Sequence, residues 1–272
     1  MAGHAGRTNR RVEASWYDYP QYYDLAFRDE TRREADFIEA ACRKYCGFPA
    51  RRLLEPACGS GRLVAELASR GYRVTGFDLS EPALRYLRRR LKRRGLEAQV
   101  FRADMADFRL PRPVDAAFST FDGFRHLLTE SAATRHLQCV ARSLRSGGIY
   151  LLGFHLVPPD AAEECIERWT ARRGNLRVSV TLRVVSTDRR RRVETLCVNL
   201  LARCPRGTLR LRHVFDFRLY TAAQFRRTLA RSPCFELCDV YDFWYEIDHP
   251  LALTDELSDA VFILRKRGEE SW

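Results

Sequence analysis

The stretch Leu53-Leu54-Glu55-Pro56-Ala57-Cys58-Gly59-Ser60-Gly61 combines an apolar run, an acid and two closely spaced glycines. Residues 51–56 are predicted to form a strand and residues 61–70 a helix, so the glycines lie in the loop between them. Glycines at these positions let the backbone turn sharply and approach a ligand without a Cβ contact. The loop favours a nucleotide-type site, although two glycines alone are a weak signal.

The pattern around this loop alternates between helices and strands. Helices are predicted at 31–46, 61–70, 81–94 and 131–145, and strands at 51–56, 72–78, 97–102, 114–120 and 149–155. Such alternation implies right-handed crossovers and a parallel sheet covered by helices on both faces. The predicted fold class is therefore α/β, doubly wound, with a mostly parallel sheet.

After Pro158 the pattern changes to a predicted helix reaching about residue 172 and then three β-rich segments. These segments, 176–186, 192–203 and 208–220, predict an inserted antiparallel meander. A helix at 221–231 and strands at 235–246 and 259–265 are predicted to complete the fold. The resulting division has an N-terminal arm or lid (1–30), an α/β domain (31–157 and 221–267) and an inserted cover over the substrate (158–220).

Two more acids follow predicted strands. Asp78 ends the strand before Leu79, at the sheet edge where two ribose hydroxyls can donate to it, and Asp104 with Met105 follows the next strand. An acid and an apolar neighbour suit the amino group and the ring face of an adenine. For one acid alone, a surface carboxylate or helix cap is the simpler interpretation. Three acids in order at strand ends, with Glu55 as the first, favour a nucleotide-type cofactor.

At these residues, over roughly 50–155, the sequence resembles the class I S-adenosylmethionine-dependent methyltransferases. The resemblance implies S-adenosylmethionine as cofactor. It implies that Gly59 and Gly61 line the methionine part near Glu55 and Ala57, that Asp78 holds the ribose, that Leu79 packs on adenine, and that Asp104 and Met105 flank the base. The fourth motif of the family falls at Ser119-Thr120-Phe121, which implies a cofactor contact by Thr120. Glu55-Pro56-Ala57 departs from the Asp-x-Gly of many members.

The residues after the fourth predicted strand bear on the methyl acceptor. Enzymes that methylate amino groups of DNA bases need an Asn/Asp-Pro-Pro-aromatic tetrapeptide here, but the chain has Thr120-Phe121-Asp122-Gly123-Phe124. The segment instead resembles the small-molecule branch, which includes methyltransferases of amino sugars and other secondary metabolites. Methylation of a small-molecule hydroxyl or amine is the leading hypothesis. A nucleic-acid methyltransferase and a non-catalytic S-adenosylmethionine-binding protein are the alternatives.

His126 is the predicted catalytic base, because it lies eight residues after Phe118 of that strand, near the carboxyl edge of the sheet where ligands of such folds bind. An equally weighted alternative is a structural histidine that caps the next helix or bonds within the loop. Asp122 is predicted to orient the histidine or an acceptor amine, and Phe121 to contact the substrate.

The N-terminal arm carries six aromatic residues within 15–27. An exposed run of this kind would be a sticky apolar patch, so we expect it to cover the open edge of the sheet. Tyr19 is predicted to border the substrate and Tyr23 the cofactor, with the arm becoming ordered on binding. The alternative is an arm packed permanently on helix 31–46.

Composition excludes several classes. With 272 residues, 46% of them hydrophobic, the chain can bury a core, which rules out a disordered tail or a small disulfide-stapled module. The net charge of +12 favours a nucleic-acid partner only weakly, because 44 of the 47 basic residues are arginines spread along the chain. Without a run of about 20 apolar residues or a secretory signal, a soluble cytoplasmic protein is expected. Nine cysteines without CxxC spacing predict reduced thiols and no metal site.

Overall fold

The strands of the protein pair into two separate sheets, one of seven strands and one of five. The computed structural model describes residues 8–161 and 165–268. In chain order the strands are β1 (Thr8–Glu13), β2 (Arg52–Pro56), β3 (Arg73–Asp78), β4 (Gln99–Arg102), β5 (Val114–Ser119), β6 (Leu144–His155), β7 (Ile166–Arg173), β8 (Leu176–Asp188), β9 (Val193–Cys204), β10 (Gly207–Arg218), β11 (Phe235–Tyr241) and β12 (Asp259–Lys266). The helices are α1 (Pro20–Ala26), α2 (Thr31–Tyr45), α3 (Arg62–Ser69), α4 (Glu81–Arg94), α5 (Glu130–Ser143) and α6 (Ala222–Ala230), with 3₁₀ turns at Trp16–Asp18, Arg28–Glu30 and Gly123–His126.

The seven-stranded sheet has the order β11-β12-β6-β5-β2-β3-β4. Its β4, β3, β2, β5 and β6 strands run parallel, whereas β12 is antiparallel to both of its neighbours. Apolar clusters lie on both faces of this sheet. The predicted doubly wound, mostly parallel α/β fold is confirmed. The strand order reverses beside β2, and in such folds ligands bind outside the carboxyl ends of the strands at that point.

Helix α4 shows why the local pattern predicted the elements well. Ser80 caps it, because its hydroxyl accepts a hydrogen bond from the Ala83 N–H, and the left-handed Gly95 ends it. Leu84, Leu87 and Leu91 are buried on one face, as their spacing predicts. Arg85, Arg88 and Arg89 are exposed, whereas Arg90 forms an ion pair with the buried Asp24.

The five-stranded sheet has the order β1-β10-β9-β8-β7 and contains the predicted antiparallel meander. The predicted helix reaching residue 172 is wrong over 166–173, which form strand β7 paired with β8. Trp169 and Ala171 face the apolar cluster of this sheet, while Arg168, Thr170 and Arg172 are exposed. This alternation has the period of two of a strand, but the many charged residues of the segment obscure it. Residues 162–164, within the same predicted helix, lie outside the described residues.

The N-terminal arm also begins with a strand that was not predicted from the sequence. Residues 8–13 form β1, an edge strand parallel to β10, with Thr8 paired to Gly207 and Glu13 to Arg212. Residues 1–7 lie outside the described residues. An edge strand with a solvent-facing side needs few apolar residues, so its sequence resembles a loop.

The aromatic arm packs chiefly on the inner face of the five-stranded sheet. Trp16, Leu25 and Phe27 are buried in one apolar cluster with Val180 and Leu200, and no residue of α2 belongs to that cluster among the described residues. Within the described part of the chain, no helix is both long and apolar enough to cross a membrane.

Candidate functional site

A cavity of about 1070 Å³ opens at the carboxyl edge of the parallel strands. We call the part formed by the loops after β2, β3 and β4 (55–60, 78–80, Ala103 and Met105) the strand-end half. The part formed by the arm, the turn 123–126 and residues of β7 to β10 is called the insertion half. Asp122 and His155 also line the cavity, from the ends of β5 and β6 between these two parts.

The loop after β2 has the sharp course that its glycines predict. Ala57, Gly59 and Gly61 all have positive φ angles of 52°, 52° and 65°. Gly59 lines the cavity, whereas a Cβ on Gly61 would lie 2.2 Å from the side chain of Leu87, so this glycine allows α3 and α4 to pack closely. Ala57 keeps the turn despite its Cβ, at a cost of about 1 to 2 kcal/mol.

Asp78 presents a carboxylate that backbone groups hold in place. One oxygen accepts a hydrogen bond from the Gly59 N–H and the other from the Ser80 N–H, each at 2.8 Å. Burial raises the pKa of Asp78, an effect that these hydrogen bonds oppose. Because each carboxylate oxygen retains a further acceptor position, Asp78 can receive two ligand hydroxyls. The adjacent Leu79 is 56% exposed in the cavity wall and offers an apolar surface to a planar ring.

A second buried acid lies at the end of β2. Glu55 is 8% exposed, and its Oε2 atom has no hydrogen-bond partner among the described residues. Burial raises the pKa of Glu55 well above its usual range, while the nearby Arg62 acts in the opposite direction. An unpartnered buried carboxyl group of this kind suits a cationic ligand group.

Two residues beside the strand-end half, Arg62 and Glu34, were not predicted from the sequence. Arg62 forms an ion pair with the buried Glu34 at 2.5 Å, and the Thr120 hydroxyl donates to the other oxygen of Glu34 at 2.5 Å. Tyr23 lines the cavity close to this pair, and burial raises its pKa. Two signals could have revealed the pair: Arg62 directly follows the glycine loop, and Glu34 lies on the apolar face of a predicted helix.

Most of the predicted site residues line the one cavity. They are Tyr23, Glu55, Ala57, Gly59, Asp78, Leu79, Met105, Thr120, Phe121, Asp122 and His126. Gly61, Asp104 and Tyr19 are not among its described lining residues. Asp104 accepts a hydrogen bond from the Ala106 N–H at 2.8 Å, which is a local turn contact. Tyr19 stacks on Tyr22 instead, and Tyr17 lines the cavity where Tyr19 was predicted to lie.

His126 lies in the insertion half within a group of aromatic side chains. Its Nε2 atom shares a hydrogen bond of 2.9 Å with the Tyr17 hydroxyl, and its ring lies 4.7 Å from that of Phe217. Burial lowers the pKa of His126 to about 4, against a smaller opposing effect of Asp122. The imidazole is therefore neutral at pH 7 and a weak base.

Asp122 and His155 form a hydrogen-bonded pair between the two halves. The Asp122 carboxylate accepts hydrogen bonds from the His155 Nδ1–H at 2.7 Å and from the His155 backbone N–H at 3.1 Å. Asp122 itself has a positive φ of 46°, a strained conformation that aspartate adopts more easily than most residues. Sequence analysis missed His155, although it ends a predicted strand just as the three recognised acids do.

The cavity is acidic in a protein that is basic overall. Seven acidic side chains and three arginines belong to its described lining. Two of those acids, Asp122 and Glu194, form ion pairs with the buried Arg125, which also donates to the Arg218 carbonyl oxygen at 3.1 Å. The lining thus favours a cationic ligand over a phosphate-rich one.

Residues 53–148 match a family described as "Methyltransferase domain". This match covers the glycine loop, Asp78 and Met105, which are the residues that build the strand-end half. Residues 53–148 are therefore similar to a methyltransferase domain.

The curated relatives differ in the share of their own length that this chain covers. A dTDP-3-amino-3,6-dideoxy-alpha-D-glucopyranose N,N-dimethyltransferase of Streptomyces fradiae is 26% identical over 216 residues, which is 78% of this chain and 82% of the relative. A Geobacillus protein named as a methyltransferase is also 26% identical, over 52% of this chain and 56% of its own length. The chain thus spans little more than half the length of that relative.

Among solved structures, the sugar N-methyltransferase KedS8 of Streptoalloteichus superposes with a TM-score of 0.73 at 21% identity. The superposition covers 98% of this chain and 99% of that structure. At this identity the likeness concerns the fold, and it extends over both sheets of the chain.

The strand-end half fits S-adenosylmethionine. The free acceptor positions on Asp78 suit ribose hydroxyls, and the exposed face of Leu79 suits a purine ring. The unpartnered Glu55 carboxyl group near Arg62 suits the amino acid part of the cofactor, which carries one positive and one negative charge.

Proposed function

We propose that the protein transfers the methyl group of S-adenosylmethionine to an amine on a sugar-like small molecule. The observation that carries this proposal is one cavity that joins a strand-end half suited to the cofactor to an acidic insertion half. Two features support an amine over a hydroxyl. The lining favours a cation, and relatives such as the Streptomyces fradiae enzyme are named for N,N-dimethylation of amino sugars.

In this proposal the cofactor lies in the strand-end half. Asp78 accepts hydrogen bonds from the ribose hydroxyls, while Leu79 and Met105 pack on the adenine. Gly59 and Ala57 bring the backbone close to the methionine part, and Thr120 and Tyr23 border it. Glu55 and Arg62 bind its ammonium and carboxylate groups. Gly61 and Asp104 support this half from outside the cavity, since the first packs against α4 and the second holds its own turn.

When bound, S-adenosylmethionine supplies an electrophilic methyl group with a neutral thioether as the leaving group. The residues of the chain therefore act mainly by alignment and by excluding water, which in model systems contribute roughly 7 to 11 kcal/mol. Phe121 forms an apolar wall for the acceptor. His126 and Tyr17 act as a neutral hydrogen-bonding pair that orients the acceptor.

The inserted segment 158–220 and the arm 1–30 are proposed to cover the acceptor. Trp16, Tyr17 and Phe27 of the arm and Trp169 of β7 line the cavity opposite the glycine loop. A cavity closed by aromatic side chains excludes water from the reacting atoms. It also favours a small acceptor over a nucleic acid, whose phosphates would meet the acidic lining.

The test combines cofactor binding with a comparison of acceptors. Purified protein should bind S-adenosylhomocysteine by calorimetry, and it should add a methyl group to a 3-amino sugar, detected by mass spectrometry. The matched acceptor with a hydroxyl in place of the amine should react at least about tenfold more slowly. Equal rates with both acceptors would contradict the amine assignment, and no binding at millimolar ligand would refute the enzyme.

A further inference from the structure

Two histidines line the cavity, and their surroundings suit them to different tasks. His126 shares its Nε2 atom with the Tyr17 hydroxyl, and burial lowers its pKa to about 4. A group that accepts a proton near pH 7 works best when its own pKa is close to that pH. His126 is thus too weak a base for the task.

His155 is fixed in one orientation by Asp122. Burial alone would raise the pKa of Asp122, but His155 and Arg125 outweigh it and hold the pKa well below its usual range. Asp122 is therefore a carboxylate and can only accept, so the His155 Nδ1 atom carries the proton in their hydrogen bond of 2.7 Å. In neutral His155 the Nε2 atom then has an available lone pair, and no described residue donates a hydrogen bond to it.

The pair lies at the junction of the two halves. Asp122 follows β5 and His155 ends β6, and these strands are neighbours in the parallel sheet. A Cβ on Gly123, the residue after Asp122, would lie 3.9 Å from the Ala57 Cβ of the loop after β2. The Asp122–His155 pair therefore lies close to the loop that we assign to the methionine part of the cofactor.

We propose that His155, oriented by Asp122, accepts the proton that an ammonium acceptor must lose before it can be methylated. This inference rests on the proposed function, because it requires an amine acceptor. It makes His155 the catalytic base and Asp122 its positioning residue. His126 keeps the orienting role given above.

The proposed step moves one proton and then one methyl group. An alkyl ammonium with an ordinary pKa of about 10 enters protonated at pH 7 and has no lone pair for attack. The Nε2 atom of His155 forms a bond to that proton, and the N–H electron pair stays on the acceptor nitrogen. The nitrogen then bonds to the methyl carbon as the carbon–sulfur bond breaks, and the electron pair of that bond goes to sulfur.

A route for the proton away from His155 is also present. The Oδ1 atom of Asp259, which is partly exposed, lies 3.6 Å from the His155 Nε2 atom. A carboxylate at this distance stabilises protonated His155. It can also accept the proton from the Nε2 atom and release it to solvent. Turnover needs such a route, because the imidazole must be neutral again before the next acceptor binds.

The charged groups around His155 determine how the reaction should depend on pH. Asp122 and Asp259 face the ring with negative charge, Arg125 lies nearby with positive charge, and Phe121 and Phe243 contact the ring edge to face. Burial by these neighbours lowers the pKa of His155, but the two carboxylates outweigh it and the net direction is upward. Activity should therefore rise with pH through a pKa above 6.5.

The first experiment measures methylation of the amino sugar by His155→Gln at saturating cofactor. We expect kcat to fall by about 100-fold or more, with the affinity for S-adenosylhomocysteine unchanged within about threefold. The matched control is His249→Gln, because His249 is exposed, pairs with Glu246 and does not belong to the described lining. It should keep the wild-type kcat.

The second experiment needs no turnover. The Cε1–H signal of His155 is identified by NMR from its loss in His155→Gln and is titrated with S-adenosylhomocysteine bound. Its midpoint should lie above pH 6.5 in the wild type and at a lower pH in Asp122→Asn, and the pH profile of kcat/KM should move in the same direction. Asparagine suits this position because it tolerates a positive φ.

The outcomes separate this inference from the function on which it rests. Failure of the wild type to methylate any amine would overturn the proposed function, and with it the need for a base. An active wild type whose His155→Gln variant keeps kcat within about threefold would overturn only the role of His155. A His155 midpoint that does not move in Asp122→Asn would overturn the pairing. If the glutamine variant fails to fold, a pH profile of kcat/KM that does not move in Asp122→Asn would overturn it instead.

Discussion

The two halves of the cavity are built in different ways. The strand-end half comes from three consecutive parallel strands and the loops that follow them within residues 52–105, and each loop contributes its ligand-facing groups directly at a strand end. The insertion half brings together the arm, the turn 123–126 and β7 to β10, which are separated by up to 200 residues. One half depends on local spacing and the other on long-range packing.

The halves also use their acids differently. In the strand-end half, Asp78 is bonded only to backbone N–H groups, and Glu55 has an oxygen without a described partner. In the insertion half, Glu194 is ion-paired with Arg125, which also pairs with Asp122 between the two halves. The acids of the strand-end half thus keep acceptor positions for a ligand, whereas the ion pairs of Arg125 fix the side chains of the cavity wall. The strand-end half should therefore control cofactor affinity, and the insertion half should control the rate of transfer.

The largest effect is expected from the buried arginine of each half. Arg62→Met leaves Glu34 as a buried charge without its ion pair, and Arg125→Met does the same to Glu194. Asp122 also loses an ion pair in Arg125→Met but keeps its hydrogen bonds to His155. Each substitution should lower the free energy of unfolding by about 3 to 5 kcal/mol, measured by urea denaturation. In contrast, Arg88→Met removes an ion pair with Glu81 in which both side chains are about 40% exposed, and should cost less than about 1 kcal/mol.

The same two variants also separate the halves by cofactor affinity. Arg62→Met should weaken S-adenosylhomocysteine binding by about tenfold or more, because it removes the proposed carboxylate contact. Arg125→Met should leave that affinity within about threefold, provided it is measured well below the unfolding temperature. Equal losses in both variants would mean that the two halves do not bind their ligands independently.

The next effect compares two acids that the sequence places at equivalent strand ends. Asp78→Ala should weaken S-adenosylhomocysteine binding by at least about tenfold, since charge-assisted hydrogen bonds are worth roughly 1.5 to 3 kcal/mol each. Asp104→Ala should change it by less than about threefold, because Asp104 bonds the Ala106 N–H and does not belong to the described lining. Calorimetry on both variants checks this, and a tenfold loss in Asp104→Ala would restore its predicted contact with the base.

These contrasts show how far local sequence information reaches. The alternation of strands and helices predicted the parallel sheet, and the residues after each strand predicted most of the strand-end half. A strand end does not reveal which way its acid turns, so Asp78 and Asp104 looked equivalent. The orientation of each carboxylate depends on the backbone group that donates to it. This group is the Gly59 N–H for Asp78 and the Ala106 N–H for Asp104.

Long-range pairing explains what the sequence did not predict. Strand β7 carries many charges and becomes recognisable only by its pairing with β8, and β1 pairs with a strand about 200 residues away. The partner of Asp122 is His155, 33 residues later, and no motif links them. His126 was predicted from its position after the fourth predicted strand, yet its hydrogen-bond partner is Tyr17 of the arm, 109 residues earlier.

A smaller effect is expected from two tyrosines of the arm. Tyr17→Phe removes the hydrogen bond to His126 and should lower kcat for amine methylation by about fivefold, the equivalent of a net hydrogen bond of about 1 kcal/mol. Tyr19→Phe should have no effect, because Tyr19 is not among the described lining residues and stacks on Tyr22. Steady-state kinetics at saturating cofactor tests both. A larger loss in Tyr19→Phe would mean that the arm moves when ligands bind.

The smallest effect is on the pH dependence of stability. His136 is 1% exposed, and its ring shares hydrogen bonds with the Met105 carbonyl oxygen at 2.9 Å and the Tyr150 hydroxyl at 2.8 Å, which supports the strand-end half. Burial lowers its pKa to about 4, against smaller opposing effects of the Met105 hydrogen bond and Asp104. Below pH 6.5 the unfolded chain therefore binds a proton that the folded chain does not, so stability falls as pH decreases from 6.5 towards 4.

For one such histidine the expected loss between pH 7 and pH 6 is about 0.7 kcal/mol. His136→Gln keeps a donor and an acceptor but has no ionisation in this range, so its unfolding free energy should change less with pH than that of the wild type. Urea denaturation at both pH values measures the difference. His155 should act in the opposite direction, since its raised pKa stabilises the folded chain below pH 6.5 and loses that effect as pH rises through the folded value. If removing the ionisation of His136 leaves the pH dependence unchanged, its ring is not held neutral, and the support it gives to the Met105 loop must come from packing alone.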